Sequence, residues 1–110
     1  MLTETEINIL VEKIVQRLQP DKVIVFGSYA KGKATAKSDL DIFVIKETHL
    51  PMKKRNEEIK PILSNFLISV DVHVYTPEEV EAYGLEPYSF VESVLKTGKV
   101  LYESGKFCLL

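Results

Sequence analysis

KVIVFGSYAKGKATAKSDLDIFVI, residues 22–45, decides how this chain is read. Lys22 to Phe26 is a short run rich in β-branched residues that stops at a glycine, the mark of a buried strand. Gly27-Ser28 follows at once, and the polar segment from Ser28 to Gly32 has room for only one or two helical turns. Leu40 to Ile45 reads as a second strand. Asp39 and Asp41 stand at its entry, two residues apart, so they share a face with Cβ atoms about 6–7 Å apart. Leu40, Ile42 and Val44 then face the core. Two carboxylates on one face repel unless a cation lies between them. Hard oxygen ligands suit Mg²⁺ or Mn²⁺. A glycine after a strand lets backbone approach a bulky anion, because no Cβ stands in the way. A serine there adds a hydroxyl and the first N–H groups of a helix, which suit phosphate. Each feature alone has a plainer reading: an ordinary turn for Gly27-Ser28, and a solvent-facing strand end for the aspartates.

Outward from this stretch, Thr3-Glu4-Thr5-Glu6 has the form of a capping box. Ile7, Leu10, Val11, Ile14, Val15 and Leu18 continue it as one helical stripe that Pro20 closes. Pro51 to Asn65 predicts a helix that Pro61 would kink or break. Ser69 to Tyr75 alternates strictly and predicts a third strand. Val70, Val72 and Val74 face one way there, and Asp71 and His73 the other. Aspartate is disfavoured within strands. Asp71 makes sense beside Asp41 on an open face, completing a carboxylate triad. Thr76-Pro77-Glu78-Glu79 is a second capping box. Pro87 to Thr97 predicts a last helix with Phe90, Val91, Val94 and Leu95 inward and Gly98 as its stop, followed by a short strand at Val100 to Tyr102. The expectation is an α/β (α+β) fold. It has a small mixed sheet of three or four strands, with helices packed mainly on one face and the other face partly open.

The whole chain, residues 1–110, is expected to form a single domain. Its net charge of −2 argues against general binding to nucleic acid or to a membrane surface, either of which needs a basic excess. One cysteine, Cys108, cannot form an internal disulfide. No apolar run is long enough for a membrane span and the N-terminus lacks a signal-peptide core, so a cytoplasmic location is expected. Met52-Lys53-Lys54-Arg55 reads as a solvated basic helix face, His73 as a polar neighbour of the site, and Tyr75, Tyr83, Tyr88 and Tyr102 as residues at the edge of the core.

Gly27-Ser28, ten residues, then Asp39-x-Asp41 resembles the signature of the DNA polymerase β-like nucleotidyltransferase superfamily. Four fixed residues in that frame would arise by chance in about one chain per thousand of this length. The fuller run, with Ala30, Lys31, Gly32, Ala34 and Ser38, is similar to its minimal nucleotidyltransferase branch. The resemblance implies a nucleotidyltransferase fold and metal-dependent nucleotidyl transfer. It implies that Gly27 and Ser28 hold the β- and γ-phosphates of ATP, with Lys31 and Ser38 as further nucleotide contacts. Asp39, Asp41 and Asp71 would be the catalytic and metal-binding residues, for two Mg²⁺ ions (or Mn²⁺), and Asp71 would help deprotonate the acceptor hydroxyl. Many relatives carry arginine where this chain has Lys31, which keeps the charge and loses the bidentate fork.

Stand-alone members of that branch typically pair with a helical HEPN-type toxin. The resemblance implies an antitoxin that transfers AMP from ATP to a tyrosine of such a partner. Two alternatives stay open: nucleotidyl transfer to a small hydroxylated molecule with a second subunit completing the pocket, and a non-catalytic module that neutralises its partner by contact. An oligomer, with itself or with a partner, is compatible with each.

Overall fold

A computed structural model describes residues 2–66 and 69–108. Its elements run α1 (Glu4–Leu18), β1 (Lys22–Phe26), β2 (Leu40–Ile45), a 3₁₀ turn (Met52–Lys54), α2 (Lys60–Leu63), β3 (Val70–Tyr75), α3 (Pro77–Gly84), α4 (Phe90–Thr97), β4 (Lys99–Glu103) and β5 (Lys106–Phe107). The sheet order is β3-β2-β1-β4-β5. Among the described residues only the β2–β3 pair is parallel. A parallel pair needs a crossover, and here the crossover carries the 3₁₀ turn and α2.

Local chemistry sets most boundaries. Thr3 and Glu6 close a reciprocal capping box at the start of α1, and Thr76 and Glu79 close another at α3. Ser89 caps α4. The expected helix over 51–65 is instead a 3₁₀ turn, a run of turns and four residues of α2. Pro61 falls in the first turn of α2, where its missing N–H costs nothing. The segment after Ser28 is a sequence of turns rather than a helix. The sheet has five strands where three or four are expected. The fifth is a two-residue extension folded back over Ser104 and Gly105, both at positive φ, the backbone a tight hairpin turn requires.

Strand alternation sends side chains to two separate cores. Val23, Val25, Leu40, Ile42, Val44, Val72 and Val74 pack against the buried stripe of α1 (Ile7, Leu10, Val11, Ile14, Leu18) and against Ile59 of the crossover. This is the larger core, as the sequence pattern predicts. On the opposite face Ile24, Phe43 and Ile45 pack under Val91 and Val94 of α4. Phe90 and Leu95, expected inward, are each 42% exposed, because α4 covers only part of this face. Gly98, the expected helix stop, has an ordinary extended backbone (φ −77). What requires glycine there is space: a Cβ would collide with Ile24 Cγ2 and would lie 2.7 Å from the Val94 carbonyl oxygen.

Candidate functional site

On the α4 side of the sheet the central strands form ordered rows. Asp71, Asp41 and Phe26 stand in register in the first row. His73, Phe43 and Ile24 form the second, and Tyr75, Ile45 and Lys22 the third. Helix α4 sits over the second and third rows through Val91 and Val94. At the first row α4 reaches only the Phe26 end, where the Phe90 ring meets Phe26 edge-on at 5.4 Å between ring centres. Asp41 is half-buried and Asp71 is exposed. Adjacent strands run about 4.8 Å apart, so register alone forces the two carboxylates together.

The turn after β1 closes over this row. Gly27 has φ +75, a left-handed backbone that glycine adopts without strain. A Cβ built on Gly27 would stand 2.5 Å from Asp41 Oδ2. The site therefore needs glycine twice, for the backbone angle and for the close approach to the carboxylate. Lys31 N–H then donates to the Gly27 carbonyl (3.2 Å) and Lys33 N–H to the Ser28 carbonyl (2.9 Å), wrapping one compact turn.

Burial pushes the Asp41 carboxyl above the ordinary carboxylate range. The charge of Asp71 adds to that rise, His73 works against it, and Asp39 adds a smaller push. Asp39 is exposed and precedes the first residue of β2, so it belongs to the loop and not to the strand. The expected triad is thus a register-matched pair, Asp41 and Asp71, with Asp39 one residue outside the sheet. Among the described residues no three His, Cys, Asp or Glu side chains converge as a ready-made metal cage. Mg²⁺ is ordinarily held by one or two carboxylates together with substrate phosphates. A carboxylate pair that repels itself, under a turn with no Cβ, fits that ion.

The other nucleotide candidates are placed differently. Ser28 is half-buried in the turn and Lys31 is exposed on it. Ser38 Oγ accepts from Thr35 N–H (2.9 Å), and Ser38 N–H donates to the Thr35 carbonyl (3.0 Å). Its side chain thus holds the loop's second turn.

Three features of the site escape the sequence. Tyr29 Oη accepts the Leu2 N–H at 2.9 Å, which ties the turn after β1 to the segment before α1. Phe26, His73 and Phe90 form an aromatic cluster beside the carboxylate row, with His73 5.7 Å from Phe26 and 5.1 Å from Phe90 between ring centres. Arg55, read as part of a solvated face, is half-buried instead, its side chain 9% exposed. It grips Glu79 with two nitrogens (2.6 and 3.2 Å) and donates to the Val74 and Leu50 carbonyls. Nothing in the local sequence signals this pair, because Glu79 already has a complete capping-box role with Thr76. The arginine partner is 24 residues away.

A turn that needs glycine, set over paired sheet carboxylates, can bring anionic phosphate to a cation-binding edge. The chain belongs to the nucleotidyltransferase domain family, whose model matches residues 7–102. It is a nucleotidyltransferase. One relative from Methanocaldococcus jannaschii, named a "Putative protein adenylyltransferase", is 32% identical over 60% of this chain and 77% of its own length. A second protein of that name and organism is 30% identical over 87% of this chain and 90% of its own. Among solved structures, a Sulfolobus solfataricus protein titled a "putative nucleotidyltransferase" superposes with a TM-score of 0.66 at 20% identity, covering 97% of this chain and 90% of that one. The toxin-antitoxin MntA-HpeT, solved as a mutant, superposes with a TM-score of 0.57 at 27% identity, covering 94% of this chain and 74% of that one. Among the described residues no helix is long and apolar enough to cross a membrane.

Proposed function

We propose that this chain transfers AMP from ATP to a tyrosine hydroxyl of a partner protein, a HEPN-type toxin, and acts as its antitoxin. The observation that carries the reading is the in-register Asp41–Asp71 pair directly beneath the Gly27 turn. Relatives named as protein adenylyltransferases and a structural neighbour that is a toxin-antitoxin support it.

Gly27 and Ser28 hold the β- and γ-phosphates, which a left-handed glycine turn can approach without a side chain intervening. Asp41 and Asp71, with Asp39 reaching in from the loop, would hold Mg²⁺. When bound, Mg²⁺ neutralises phosphate charge and lowers the cost of the leaving pyrophosphate. The acceptor hydroxyl oxygen bonds to the α-phosphorus of ATP as the bond from that phosphorus to the α,β-bridging oxygen breaks. Pyrophosphate leaves with the electron pair. Asp71, whose exposure leaves it open to an acceptor, takes the hydroxyl proton in this reading. Lys31 and Ser38 shape and charge the loop around the phosphates.

The test is mass spectrometry of a HEPN-type partner encoded beside this chain, after incubation with the protein, ATP and Mg²⁺. The expected result is a gain of one or more AMP units on a tyrosine, absent with Asp41→Ala. A tight complex with no mass gain would replace transfer by neutralisation through contact. Neither complex nor gain, with AMP appearing on a small hydroxylated compound, would replace the protein acceptor.

A further inference from the structure

The sequence holds an uneven charge distribution that the fold concentrates. Between Pro61 and Leu95 there is no lysine or arginine, whereas Asp71, Glu78, Glu79, Glu81, Glu86 and Glu92 all fall there. Only Glu79 is neutralised by an ion pair, with Arg55, among the described residues. Most of these acids lie on α3, on the connection after it and on the start of α4. The same connection exposes apolar side chains: Leu85 is 84% exposed and Tyr88 fully exposed. Tyr88 has φ +63, a left-handed backbone that costs a tyrosine about 1 kcal/mol or more.

This exposure is built and not slack. Ser89 Oγ donates to the Tyr83 carbonyl at 2.7 Å, Glu86 N–H to the same carbonyl at 3.1 Å, and Tyr88 N–H to Glu92 Oε2 at 2.9 Å. Beside it lies a groove of about 330 Å³ lined in part by Met52, Tyr75, Tyr83 and Phe90. Phe90 joins the groove to the site, because its ring lies 5.1 Å from His73, two residues along β3 from Asp71. Lys53 and Lys54 adjoin Met52, so the acidic character belongs to the α3–α4 side of the groove.

We infer that the α3–α4 connection, with Leu85 and Tyr88 at its tip and Glu78, Glu81 and Glu86 around it, is the docking surface for a basic protein segment with apolar side chains. The segment carries the acceptor tyrosine and lays it along Phe90 and His73 toward Asp71. Charge complementarity selects a cationic partner over an anionic one, and a braced aromatic and leucine tip reduces the ordering cost of binding. The inference rests on the reading of this chain as a transferase acting on a protein, and it names where and by what chemistry that protein is gripped.

The probes are two labelled peptides with the same single tyrosine and flanking leucines, one rich in lysine and arginine and one rich in aspartate and glutamate. Binding is read by fluorescence anisotropy and AMP incorporation by mass spectrometry. The lysine–arginine peptide should bind at least about tenfold more tightly, with affinity falling as salt rises. Glu81→Lys with Glu86→Lys, and separately Leu85→Ser with Tyr88→Ser, should each weaken it about tenfold while leaving thermal unfolding and ATP affinity unchanged. Equal or absent binding of the two peptides overturns the surface, as does binding unchanged in the Leu85 and Tyr88 variant. Binding as expected without AMP incorporation leaves the surface standing and overturns protein adenylylation.

Discussion

Replacing Gly27 by alanine separates the two demands that the turn places on this residue. The left-handed backbone at φ +75 costs an alanine about 1–2 kcal/mol. The added methyl would lie 2.5 Å from Asp41 Oδ2, and an ordinary carbon–oxygen contact needs about 0.7–1 Å more. Asp41 Oδ2 is the tip of a short side chain, so the carboxylate can rotate away and the stability cost stays near the backbone strain. The functional cost is larger, since a displacement of about 1 Å at a reacting centre can lower rate about 100-fold. Gly32 provides the matched control: it also has positive φ (+69), yet a Cβ there meets nothing within 4 Å. Gly27→Ala and Gly32→Ala should therefore lose similar stability, about 4–8 °C in Tm for each kcal/mol in a domain of this size. Only Gly27→Ala should lose nucleotidyl transfer, by about 100-fold. Differential scanning fluorimetry and release of pyrophosphate from ATP measure the two quantities. Equal activity in the two variants would refute the claim that Gly27 is needed for its approach to Asp41.

Three further outcomes follow from named contacts. Because burial and Asp71 raise the Asp41 carboxyl, ionised Asp41 weighs against the fold, a penalty that grows as pH rises from the ordinary carboxylate value through the raised one. Asp41→Asn should thus abolish transfer yet raise Tm at pH 7 without divalent cations, with the advantage vanishing near pH 4; a lower Tm at pH 7 would contradict the sign. Arg55 holds Glu79 below its ordinary value, so that pair stabilises above the ordinary carboxylate range and is lost as pH falls below it. Arg55→Met should cost about 2–3 kcal/mol in urea unfolding at pH 7, because it strips Glu79 of its countercharge, leaving it only the Thr76 N–H, and takes a donor from the Val74 and Leu50 carbonyls; the difference should shrink toward pH 3. Tyr29→Phe removes the acceptor for Leu2 N–H and loosens the turn, so KM for ATP should rise several-fold with kcat nearly unchanged; a pure kcat loss would place Tyr29 in the chemistry instead of beside it.

Much of the site was legible because its residues sit on elements whose faces are set locally. Alternation in SVDVHVY puts Asp71 and His73 on one side from sequence alone, and the structure keeps them there. The same reasoning located Gly27, Ser28 and Asp41 around two strand ends. It set Asp39 at the entry of a strand running from Leu40 to Ile45, and β2 has those bounds. It read Arg55 as solvated because a cluster of basic residues says nothing about a glutamate far along the chain. It set Phe90 and Leu95 inward because helical spacing shows which residues share a stripe, not how wide a surface the stripe will find.

By itself the sequence determined α1 and the first three strands, the capping boxes of α1 and α3, and which side chains share each strand face. Those properties follow from backbone preferences, capping and periodicity within a few residues. The tertiary structure alone decided the residue-for-residue register that sets Asp41 opposite Asp71, that Gly27 comes down on the Asp41 carboxylate, and that α4 meets the first row of the sheet at Phe26. Register between strands is a relation between distant parts of the chain. It is settled by how all the buried faces fit at once, and a shift of one residue would turn these carboxylates into the α1 core.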